Sequence, residues 1–259
     1  MVTKYKRANK KENIGARYFF YIFAIVLVLL TGYYIYGYAQ GTVSMDTLTA
    51  NTSITFSMMF SIFVIAYLLA RGWNLKKIIN YLGLSAGKFS TTALVTGIKL
   101  LAIVFVFEVA VTVFSQTTNI QLPTNVGNVL EGLPLYFLVF SFLIAPVNEE
   151  IFFRAYLIPW FTKLYGEAAK AFAFPLSYTG SVLYIYRSGL GILSSALIFA
   201  LLHSGYMSIS EFAAALLFGI VAGYYYAKKG SLYATIFAHI IINLLAVTAF
   251  LTFGASAVS

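Results

Sequence analysis

Long apolar runs separated by short polar or basic stretches dominate the chain, and their lengths predict helices that cross a membrane. The expected spans are about 18–38, 52–70, 91–114, 133–159, 171–186, 190–206, 209–226 and 232–253. Residues 71–90 break this pattern: Arg71, Lys76, Lys77 and Lys88 alternate with Trp73, Leu75, Ile78, Ile79, Tyr81 and Leu82. Such a mixture predicts an amphipathic helix lying in the membrane interface. The fold class read from the pattern is all-α, a polytopic membrane protein of about eight transmembrane helices enclosing an intramembrane polar cavity. No linker, repeat or low-complexity tract interrupts it, so residues 1–259 are read as one integral membrane domain.

Charge orients the spans. Residues 1–17 carry Lys4, Lys6, Arg7, Lys10, Lys11 and Arg17 against Glu12, which marks a cytoplasmic N-terminus touching anionic headgroups. The first apolar run is too long for a signal-peptide core and is read as a retained helix. The loops 40–51 and 115–132 contain no Lys or Arg, as outside loops should. Lys99, inside the third span, either snorkels or faces the bundle. The last third conflicts with the rule, because eight spans put Lys228 and Lys229 outside. If 171–186 did not span, both would move inside. Depth favours eight. At about 1.5 Å per residue, Glu149 then lies about 24 Å below the outer end of its helix, His203 about 20 Å and Asn243 about 17 Å.

Composition removes whole classes of function. The 259 residues are 61% hydrophobic and 10% charged, far from a soluble domain at about 45–50% and about 25%. A soluble enzyme, a disordered chain and a nucleic-acid binder are excluded, despite a net charge of +9. The absence of cysteine removes thiol nucleophiles, disulfides and thiolate zinc sites. A single aspartate, Asp46, removes a two-aspartate mechanism. Gly83-Leu84-Ser85-Ala86-Gly87 fits G-x-S-x-G, but that nucleophile elbow needs a strand–turn–helix context, so the match is taken as chance.

Three polar clusters lie inside apolar helices: Glu149-Glu150 with Arg154, Phe199 with His203, and His239 with Asn243. Ionisable groups in hydrocarbon are costly, and together they suggest function. Glu150 and Arg154 sit one turn apart with the acid first, the favourable order for a structural ion pair. Glu149 points about 100° away and has no base at i+4. His239 and Asn243 share a face, and Phe199 packs one turn before His203. These groups suit hydrolysis: Glu149 as general base on water, His203 either holding the same water or passing its proton to the leaving amine, and His239 with Asn243 donating to an oxyanion.

The residues resemble the CPBP intramembrane proteases, which include the CAAX prenyl endopeptidases and the Abi immunity proteins. That family carries EExxxR, FxxxH and HxxxN or HxxxD, all present here in order over about residues 133–245. The resemblance implies that Glu149 and His203 activate water, that His239 and Asn243 form the oxyanion hole, and that Glu150 and Arg154 support them. It also implies a membrane-associated protein or peptide substrate, in some members lipidated, and a cell-membrane location. No cofactor is expected. Two histidines and a carboxylate are also a catalytic zinc set, the less favoured reading. A non-catalytic immunity factor or scaffold, and a proton-coupled carrier, are the competing functions; the carrier lacks a visible inverted repeat.

Overall fold

In bilayer hydrocarbon a backbone must satisfy its own hydrogen bonds, and this chain does so with helices. The structure, a computed structural model, describes residues 22, 25–26, 28–119, 126–171, 180–204 and 208–254. Residues 28–39 are helical. The elements that follow are α1 (Met45–Ala70), α2 (Leu75–Tyr81), a 3-10 turn (Ala86–Lys88), α3 (Thr91–Thr118), α4 (Val126–Leu130), α5 (Leu135–Leu143), α6 (Ala145–Glu150), a π-helical segment (Ile151–Leu157), α7 (Ile158–Ala171), α8 (Gly180–His203), α9 (Ile209–Lys229) and α10 (Tyr233–Phe253). No strand occurs among the described residues. Side chains set the helix starts: Ser44, Asn74, Ser90 and Ser208 each accept a hydrogen bond from the backbone N–H three residues on.

Five helices among the described residues are long and apolar enough to cross a membrane: α1, α3, the run Leu135–Gly166, α9 and α10. The chain is a multi-pass membrane protein. The start of the first expected span, and most of the segment 171–179, lie outside the described residues. The fourth expected span is one run with internal breaks. Pro146, in the first turn of α6, supplies no N–H, and helix α5 ends just before it.

The sequence expectation fails between the fifth and sixth spans. A loop is expected at 187–189, yet α8 runs unbroken through those positions. A serine and a glycine there cost a helix only about 1 kcal/mol, too little to end it. The segment 71–90, expected to form one interfacial helix, is not a single helix. It consists of α2 and a 3-10 turn, parted at Gly83 with φ +70. Lys99 is exposed on α3, away from the bundle.

The same region corrects the topology. Lys88 Nζ donates to the Lys229 carbonyl at 3.1 Å, Tyr226 donates to Tyr81 O at 3.2 Å, and Tyr233 donates to Leu84 O at 2.8 Å. Leu68, Ile78, Leu82, Tyr226 and Leu232 bury one another beneath these bonds. Lys228 and Lys229 therefore share a face with Arg71, Lys76, Lys77 and Lys88. That placement needs an even number of crossings between Lys88 and Lys229, whereas eight spans put an odd number there. Depths counted at ~1.5 Å per residue hold only for helices that run from face to face. Helix α8 ends at His203, which is half-buried between the exposed Leu202 and Ser204.

Gly83 makes this junction possible. A Cβ there would overlap the Gly230 carbonyl oxygen and lie 2.7 Å from Ser231 Cα. The left-handed backbone alone costs a non-glycine residue about 1–2 kcal/mol. Gly83→Ala is expected to lower the melting temperature in detergent by several degrees. An unchanged melting temperature would show that this junction contributes little. Close helix contacts recur in the core, where Gly219 of α9 meets Ala196 of α8.

Candidate active site

The three motifs arrive on different elements. Glu149 and Glu150 end α6, Arg154 follows in the π-helical segment, His203 ends α8, and His239 and Asn243 lie mid-way along α10. A π stretch widens the helix through i→i+5 bonds and commonly marks a functional segment.

Glu150 and Arg154 pair at 3.2 Å, both fully buried. The guanidinium lies over the Phe199 ring at 4.6 Å and the Phe218 ring at 5.3 Å, so aromatic faces replace water around the charge. Glu150 Oε1 also meets His239 Nδ1 at 3.1 Å. A carboxylate paired with Arg154 accepts, so Nδ1 donates, and this bond fixes the imidazole plane. The other ring nitrogen, Nε2, lies 3.7 Å from Glu149 Oε2. His239 thus stands between the two glutamates.

His203 is held differently. Its Nδ1 lies 2.8 Å from the Phe199 carbonyl oxygen, and its ring rests on the Phe199 ring at 4.5 Å. A carbonyl oxygen only accepts, so Nδ1 carries a proton and Nε2 carries the lone pair of the neutral ring. His203, Glu150 and Arg154 all lie within electrostatic reach of the Glu149 carboxylate. Asn243 donates through Nδ2 to the Ser141 carbonyl at 3.0 Å, spending one of its two N–H groups.

Two cavities meet here. Glu149, His203 and Asn243 line one of about 220 Å³, walled by Phe56, Phe60 and Phe153. His203, His239 and Asn243 line a second of about 540 Å³. His203, Phe199 and Asn243 border both, so the four polar groups converge. Glu149, 19% exposed, is the carboxylate that reaches open space; Glu150 is sealed. Among the described residues no group of three or more His, Asp or Glu side chains is spaced to hold a metal ion.

All seven residues read from the sequence lie at this site, Phe199 packing against Phe153, His203 and His239. Others were not foreseen. Ser141 anchors Asn243, and Phe218 packs on both Arg154 and His239 at 4.9 Å from the latter. Ser195 ties α8 to the π segment through the Phe153 carbonyl at 2.7 Å, and Ser61 donates to Asn148 Oδ1 at 2.7 Å beside the glutamates. No local pattern marks Ser141 or Ser195. Phe218 precedes Gly219 in a small-residue patch, the one signal that a close helix contact lies there.

No curated protein and no solved structure matches the chain. Residues 131–245 match the model of the Rce1-like family, described as type II CAAX prenyl endopeptidase Rce1-like. The motif-bearing part of the chain thus matches the CPBP/CAAX protease family, the one its three motifs resemble.

Proposed function

We propose that this protein is an intramembrane endopeptidase that hydrolyses a peptide bond of a membrane-associated protein or peptide, with water as nucleophile and no metal. It acts from the cell membrane, with its N-terminus and basic face cytoplasmic. One observation carries the reading: a carboxylate, two imidazoles and an amide from three helices border adjoining cavities around Phe199.

The chemistry follows from the donors and acceptors present. Water held between Glu149 and the His203 Nε2 lone pair gives a proton to Glu149 as its oxygen attacks the carbonyl carbon. The resulting oxyanion takes hydrogen bonds from the second N–H of Asn243 and from His239 Nε2–H. Because Nδ1–H of His239 is spent on Glu150, donation through Nε2 requires the imidazolium form. The C–N bond then breaks, the proton held by Glu149 passes to the leaving nitrogen, and a carboxylic acid and an amine result; proton transfer between them gives the carboxylate and the ammonium ion. Glu150 and Arg154 position His239 and do not touch the substrate.

Asn243→Ala removes one oxyanion donor. It is expected to lower kcat by about 10²–10³-fold with little change in KM. Unchanged kcat would remove Asn243 from the oxyanion hole. The function itself is tested by comparing membrane-protein N- and C-termini between cells carrying wild type and Glu149→Ala. Termini found only with wild type support a protease, and identical sets overturn it.

A further inference from the structure

The larger cavity continues well past the histidines. Along α3 it is lined from Leu101 to Gln116, about 22 Å at ~1.5 Å per residue, towards the end of the helix remote from the basic face. Glu108 of α3 and Glu211 of α9 both line this stretch, with Ser208 and Ser210 beside them. Among the described residues no Lys or Arg lines it.

Both carboxylates are half-buried and close enough for their charges to interact. Neither has an ion-pair partner among the described residues. Helix capping explains only part of this. Glu211 lies in the first turn of α9, where an acid is favourable, but the cap is the Ser208 hydroxyl. Glu108 is in the interior of a membrane-spanning helix, where a carboxylate with no partner is costly. Two such groups facing one low-dielectric cavity create a field that a cation relieves.

The spacing places that cation relative to the reacting bond. Glu211 and Phe218 are about 10 Å apart along α9 at ~1.5 Å per residue, and the Phe218 ring lies 4.9 Å from the His239 ring. An extended peptide covers about 3.3 Å per residue, so this span takes about three residues.

We propose that Glu108 and Glu211 form a subsite for a Lys or Arg side chain of the substrate, about three to five residues from the bond facing Glu149. Among the described residues these are the only carboxylates that line the cavity. The proposal rests on the protease reading, and its test separates the two.

Short N-myristoylated peptides, with a single Lys or Glu walked through each position, are titrated against the full-length protein in nanodiscs by fluorescence anisotropy. The protein carries Glu149→Gln so that the peptides stay intact. In one register the Lys peptide is expected to bind about tenfold more tightly than its Glu counterpart, a ratio that falls to about one when Glu108→Gln and Glu211→Gln are added. No register preferring Lys, or a preference that survives both Gln substitutions, overturns the subsite. Cleavage of the same peptides by protein with Glu149 intact is read in parallel. Preference without cleavage removes the protease and leaves the cation site standing; cleavage without preference does the reverse.

Discussion

Glu149→Gln is expected to lower the rate of peptide-bond cleavage by about 10²–10⁴-fold, the usual contribution of a general base. Gln keeps the size and hydrogen-bonding shape of the side chain but cannot take a proton from water. Glu149 is also the glutamate outside the buried ion pair: it is 19% exposed, lines the smaller cavity and leaves Arg154 to Glu150. Insertion into the membrane and the melting temperature therefore change little. The measurement is single-turnover cleavage by reconstituted protein, with thermal unfolding as the control. Turnover retained by a folded Glu149→Gln protein would remove Glu149 from the reaction.

The second large effect concerns stability. Arg154→Met leaves Glu150 charged, fully buried and without its counter-ion, a situation that costs about 3–5 kcal/mol. The loss is sharpened because Arg154 also fills the space between the Phe199 and Phe218 rings. Adding Glu150→Leu removes the orphaned charge, and the double variant is expected to regain most of the melting temperature. Activity is not expected to return, because His239 then has no carboxylate on Nδ1 to hold its ring. Thermal unfolding and cleavage measured on both variants check this. If activity returns with stability, Glu150 acts only as a counter-ion to Arg154.

These two outcomes depend on features of unequal visibility in the chain. The spacing from Glu150 to Arg154 is one helical turn, so their pairing is legible in the residues, and so is the divergence of Glu149 from them. The contact between Glu150 and His239 joins α6 to α10, and hydrophobic periodicity carries no information about which helices become neighbours. For the same reason Ser141 and Phe218 went unseen, although Asn243 and His239 rest against them.

The topology divides in the same way. Hydropathy and composition made this an all-helical membrane protein, and three motifs at helical spacing named the polar residues that converge. Those are local properties, set by one residue's transfer cost and by the 3.6-residue turn. Which face a late loop occupies is a running count along the chain, so a single misread span inverts everything after it. Contact between Lys88 and Lys229, closed over Gly83, settled that parity, and the unbroken helix to His203 removed the loop that had spoiled the count. Packing also joined the glutamates to His239 and opened a cavity from the histidines to Glu108 and Glu211. Arrangements between distant helices arise from mutual fit of whole surfaces, which no stretch of one helix encodes.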